Sequence, residues 1–164
     1  MNTRELTDTL TALLGELVDG APEGGAFMLN GGDPGLLASL DRLPAWAASR
    51  AATGGASIAA HVDHLRYGLS LMNRWAAGEN PFLDADWTAA WRTASVSDEE
   101  WALLRAGLRD EAHRWLQALG QPREVSDIEL NGVVGSIAHL AYHLGAIRQI
   151  DRAARGPSAD ESAG

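Results

Sequence analysis

His139 and His143 stand four residues apart in the pattern His-x-x-x-His, and His64 lies well upstream of them. On a helix, residues at that spacing share a face and sit side by side, so two imidazoles can grip one metal ion. A third histidine from a facing helix would complete three protein ligands and leave one coordination position open for water or substrate. An open position separates a catalytic metal site from a closed structural one. The chain has no cysteine. A zinc ribbon, an iron–sulfur cluster, a disulfide framework and a cysteine nucleophile are therefore excluded. Any ion must take nitrogen and oxygen ligands, which suits zinc, nickel, iron or manganese.

Helices must position these side chains, and the sequence marks where they run. Leu6, Leu10, Leu13, Leu14 and Leu17 form one apolar stripe over 3–19, Asn2 and Glu5 have the spacing of a capping box, and Gly20 with Pro22 supplies the stop. A glycine-rich connection over 24–35 leads to a short helix over 36–43, interrupted at Pro44. Ser57 caps a second long helix that runs to about residue 77. On its wheel Ser57, Gly68, Leu71 and Trp75 lie within about 40° of His64, which places that histidine in the middle of the inward stripe. Ser97 and Glu100 open a third long helix over 98–119, with Trp101, Leu104, Leu108, Ala112, Trp115 and Leu119 as its seam. The last helix is expected from Asn131 to beyond Ile150, with His139, His143, Ala146, Ile147 and Ile150 sharing an arc. No segment alternates with the period of a strand. The fold class is all-α, a four-helix bundle with short accessory helices over 1–155, followed by a small polar tail at 156–164 expected to be disordered.

Composition narrows the function. The 164 residues are 46% hydrophobic and 21% charged, the balance of one soluble globular domain. Net charge is −9, and all 13 basic residues are arginine. An acidic chain with no basic run repels phosphate backbones, which argues against nucleic acid as a partner. Without lysine there is no Schiff-base chemistry. No stretch reads as a signal peptide or reaches the ~18 apolar residues of a membrane span, so a cytoplasmic protein with no membrane partner is expected.

The remaining chemistry-bearing residues are weaker candidates. His61, one turn before His64, either joins the metal through a His-x-x-His pair or sits behind a ligand or in the pocket; a place at the pocket edge or on the surface is preferred. Trp75 is placed in the lining of a cavity near His64, while Trp87 and Trp91 are placed over an end of the bundle. His113 is expected in solvent. Asp98, Glu99 and Glu100 read as helix N-terminal charge favoured by the macrodipole. No glycine-rich phosphate loop or serine elbow is present.

The segments Ser57-Ile-Ala-Ala-His-Val-Asp-His64-Leu and Ser136-Ile-Ala-His139-Leu-Ala-Tyr-His143-Leu-Gly-Ala-Ile-Arg-Gln149-Ile resemble the DinB-like superfamily over roughly 3–152 of the chain. That resemblance implies a four-helix bundle of DinB-like type with a long crossover between its second and third helices. It implies a divalent metal, zinc or nickel above all, held by His64, His139 and His143, with Gln149 near the site, and it implies a homodimer. His61 departs from the simplest pattern of one histidine on the second helix. Relatives include mycothiol- and bacillithiol-dependent S-transferases and isomerases, alongside members with no known activity. The leading expectation is a metal-dependent enzyme in which the ion activates a low-molecular-weight thiol or water, in S-transfer, isomerisation or hydrolysis. The alternative is a non-catalytic, stress-linked dimeric bundle that binds a metal or small molecule. A third reading has core histidines with satisfied hydrogen bonds and no ion.

Overall fold

The computed structural model describes residues 3–121, 124–158 and 160. Among them are six α-helices and no strand, only an isolated bridge between Ala51 and Ser57. The long helices are α1 (Thr3–Asp19), α4 (Ile58–Ala76), α5 (Asp98–Leu119) and α6 (Asp127–Ile150); α2 (Gly35–Asp41) and α3 (Ala45–Ala48) are short. None of them is long and apolar enough to cross a membrane.

Local chemistry accounts for the helix starts. The Ser57 hydroxyl accepts the Ala60 N–H at the head of α4, and Ser97 with Glu100 forms the expected capping box on α5. Asn2, the expected cap of α1, lies outside the described residues. At α6 the expectation needs correction. The helix begins at Asp127, four residues before Asn131, because Ser126 and Glu129 form a second capping box. It also stops at Ile150 rather than running past it. Asp151 is extended there, and its carboxylate accepts the Ala153 N–H of a 3-10 turn, Arg152–Ala154.

The four long helices pack in a ring: α4 against α5 and α6, and α1 against the other sides of α5 and α6. Asn73 bonds to Glu111 while Arg66 lies beside Gly107, so α4 and α5 run parallel. His61 meets His143 and Trp75 meets Gly132, so α4 and α6 are antiparallel. Parallel neighbours in sequence require a crossover, and the chain from 77 to 97 supplies it by running back along α4. Leu14, Leu17 and Val18 of α1, Leu65 and Leu71 of α4, Leu108 and Trp115 of α5, and Leu140 and Ile147 of α6 are fully or nearly fully buried. Their burial supplies the main driving force for assembly. The Trp101 indole N–H donates to the Leu43 carbonyl, fixing the α2–α3 corner on α5.

Two buried charges hold the glycine-rich connection after α1. Glu16 accepts the backbone N–H groups of Phe27, Met28 and Leu29 at 3.0, 2.6 and 2.6 Å. Burial acts to raise its pKa, but the three donors outweigh burial and hold the carboxyl below its ordinary value. At the neck of the connection, Gly20 and Gly35 adopt positive φ, and a Cβ on either would strike the opposing backbone. Asp33 then accepts the Gly35 N–H and takes two hydrogen bonds from Arg148, at 2.9 and 2.7 Å, which ties the connection to α6. Of the segment after 155, residues 156–158 and 160 are described; the Pro157 carbonyl accepts an N–H from the Asn30 side chain.

The Asp33 carboxylate is 3% exposed and Arg148 is 16% exposed. Removing one partner of such a pair strands the other. Asp33→Ala is expected to lower unfolding free energy by about 3 kcal/mol, the low end for a buried pair because the guanidinium keeps some water. Urea denaturation checks this, and Asp33→Ala with Arg148→Met should recover part of the loss.

Candidate metal centre

The antiparallel seam of α4 and α6 brings four histidines together. His64 Nε2 lies 3.1 Å from His139 Nε2, and His143 Nε2 lies 2.9 Å from the same atom. His64, His139 and His143 each offer a ligand nitrogen, all within 4.8 Å of one another, so the three form a group able to hold a metal ion. On the far side of His143, its Nδ1 lies 2.8 Å from Nδ1 of His61. His61, His64 and His143 are buried and His139 is half-buried.

Hydrogen bonding alone serves this arrangement poorly. An imidazole nitrogen carries either one proton or one in-plane lone pair. His139 Nε2 therefore cannot make a good hydrogen bond to both neighbours at once. His64 Nδ1 is in addition buried with no partner among the described residues, a cost of about 1–3 kcal/mol that an ion at Nε2 would not itself relieve. A cation among the three Nε2 atoms would satisfy all of them. Nitrogen ligands of a tetrahedral zinc at 2.0–2.1 Å stand roughly 3.3 Å apart, so the observed spacings need to open by only a few tenths of an ångström.

Burial keeps these rings neutral. It lowers the pKa of His61, His64 and His139, and in His64 the neighbouring imidazoles add to the effect while Asp63 opposes it. His143 is pushed down to about 3, first by burial and then by His139, His61 and His64. Neutral imidazole is the form that ligates metal.

The crossover lies over the cluster. Trp91 stacks on His64 with ring centroids 4.3 Å apart and meets His61 edge-on at 5.5 Å. Trp87 lies farther along, 6.2 Å from His64. The segment is pinned at several points: the Asp86 N–H donates to the Tyr67 hydroxyl, the Thr93 hydroxyl to Asp63, and the Ser57 hydroxyl to the Thr93 carbonyl. Asp63 also holds Arg66. Beside His64 and His139 a pocket of about 320 Å³ opens between α4 and α6, with Trp87 at its edge.

The structure thus brings His64, His139, His143 and His61 together, and it moves three tryptophans and Gln149 from their expected places. Trp87 and Trp91 cover the histidines rather than a bundle end. Trp75 does not line the pocket: it packs against Phe82 and under Gly132, where a Cβ would come within 2.5 Å of its ring. Its wheel position is inward, but it lies about three helical turns from His64 along α4, beyond Met72, the last α4 residue in the lining. Gln149 is exposed and lines shallow surface depressions with Arg155. Six residues after His143, it has turned to another face of α6. His113 is exposed, 2.9 Å from Asp19. The sequence carries no signal for the anchors Asp63, Tyr67 and Thr93, whose partners lie on another segment of the chain.

A pH dependence follows for chelator-treated protein. The folded pKa of His143 lies below the ordinary 6.5, at about 3, so the unfolded chain takes up its proton first. Its contribution is intact above pH 6.5 and is lost as pH falls from 6.5 towards 3. Melting temperature should therefore fall on acidification already between pH 6.5 and 5, before most carboxylates titrate. His143→Leu should flatten that limb in thermal scans.

No protein-family model, curated protein or solved structure matches the chain.

Proposed function

We propose that this chain is a metal-dependent enzyme built on a bundle of the DinB-like type, with a divalent ion, zinc or nickel by preference, held by His64, His139 and His143. The observation that carries the reading is the meeting of three Nε2 atoms, which no set of imidazole tautomers can satisfy, at one end of a pocket. The parallel α4–α5 pair and its crossover support the fold assignment. Bound there, a divalent cation lowers the pKa of a thiol or water at its open position towards neutrality.

The chain's own residues limit the chemistry. With no cysteine present, a thiol nucleophile has to arrive with a cosubstrate. Asp63, the nearest acid in sequence, already accepts from Arg66 and Thr93, so it is not free to act as a general base. His61 has a different task. When Nε2 of His143 faces the ion, its proton sits on Nδ1 and donates to Nδ1 of His61. That bond fixes the tautomer and orientation of the ligand ring, the role usually filled by a carboxylate or carbonyl. Trp91 excludes water from the His64 and His61 side, leaving the pocket side for entry.

Metal content by plasma mass spectrometry is the direct test. Wild type supplemented with zinc or nickel should carry about one equivalent, and His64→Ala and His139→Ala should carry none while keeping their helical circular dichroism. Absence of metal in supplemented wild type would sink the mechanism. His61→Phe, which keeps the volume and removes the acceptor, should still load the ion but bind it about 10–100-fold more weakly in chelator competition.

A further inference from the structure

The pocket beside the histidines has a chemistry that the metal does not dictate. It extends along α4 from His64 to Met72 and along α6 from His139 to Gly132. At 1.5 Å per residue, that is roughly 10 Å of length along the helices, measured from the histidines. Leu65, Leu69, Met72 and Trp87 contribute apolar walls, and among the described residues no charged side chain lines it. Ser136 is the one hydroxyl in the lining, and its oxygen is committed: it donates to the Val133 carbonyl and accepts the Trp115 indole N–H. A ligand in this pocket therefore finds its cluster of polar atoms at the histidine end, with the Trp87 indole the other polar group in an apolar lining.

Glycines keep the space open. Gly68 and Gly135 line the pocket from the interiors of α4 and α6, where glycine is disfavoured relative to alanine. Close helix packing explains Gly132, whose Cβ would strike Trp75, but not these two. A Cβ at Gly135 would meet nothing within 4 Å, and one at Gly68 would only touch His139 and Trp87 at 3.9 Å. Neither has positive φ. A side chain at Gly68 would reach towards His139 and Trp87 at the pocket wall, and one at Gly135, which is exposed at the rim of the lining, would stand in open space.

We infer that the site takes a neutral, slender molecule with an apolar body, an alkyl chain or a single aromatic ring, that presents one metal-binding atom at its end. The body lies along the α4–α6 seam against Met72 and Trp87, and the head reaches the ion held by the histidines. This inference rests on the proposed metal site for its head group and on the pocket alone for its body. Small thiols whose bodies are charged would have to surrender hydration with little in the apolar lining to replace it.

Cobalt(II)-loaded protein, whose visible spectrum reports a new ligand on the ion, provides the test. Straight-chain thiols from propanethiol to hexanethiol should bind about fourfold more tightly per methylene, the affinity equivalent of ~0.8 kcal/mol for each buried CH2. Phenylmethanethiol should bind at least about tenfold more tightly than mercaptoacetate or cysteamine. Gly135→Leu fills open space with a better helix former, so it should fold, load cobalt, and flatten the chain-length series. Equal binding of apolar and charged thiols, with no effect of Gly135→Leu, would overturn the inference while leaving the metal site standing. A second arm needs no metal. Toluene added to chelator-treated protein should shift the Gly68 and Gly135 amide resonances saturably, and the Gly68 shift should vanish in Gly135→Leu. If cobalt fails to load but toluene behaves so, the metal reading falls and the apolar pocket is upheld; if toluene does not bind, the pocket assignment falls too.

Discussion

Imidazole nitrogens that converge between two helices, away from water, place a demand that the rest of this protein has to meet. Each ring is costly to bury without a partner, and three Nε2 atoms at one point cannot partner one another. The approach of α4 to α6 must therefore be set closely enough to keep His64 within reach of His139 and His143. Gly132 contributes by letting α6 settle on the Trp75 ring. Farther along the same seam, His61 braces His143 from behind. One end of the seam is packed solid and the middle is left open, and the pocket is the result.

The supports of this seam are polar, and most lie in connections. Asp33 and Arg148 fasten the last turns of α6 to the loop after α1, and Glu16 gathers that loop's backbone N–H groups. The crossover is pinned by Tyr67, Asp63 and Ser57, all of them on α4 or its cap. The helix that carries His64 thus also holds down the segment that covers it. A buried carboxylate or an ion pair contributes little net stability over an apolar substitute, but it specifies one geometry sharply when a partner is missing from every other. A site that needs three nitrogens in register profits from such specificity.

Burial has a second consequence in the same rings. By disfavouring the charged imidazolium it leaves lone pairs available at neutral pH, and the mutual repulsion of nearby cationic forms deepens the effect in His143. Trp91 stacks over His64, and the pocket beside the cluster opens onto apolar walls. A ligand at the histidines would accordingly meet a setting of low polarity, where charge is poorly shielded by solvent.

The sequence by itself determined that the chain is helical, roughly where its long helices run and which of their faces turn inward, because these are local matters. Serine followed three residues later by glutamate predicts the start of α5, and the same signal at Ser126 and Glu129 marks α6 when it is looked for. A wheel suffices to put His64, His139 and His143 on inward arcs. Height along a helix and stagger between helices are not written in that periodicity. Trp75 shares the arc of His64, yet it ends outside the pocket lining because it sits too far along α4. The pairing of His61 with His143, the stacking of Trp91 on His64 and the burial of Glu16 under a loop depend on how segments distant in sequence close on one another. Tertiary structure alone decided those, since each is a distance between elements, and a helical repeat encodes only an angle within one.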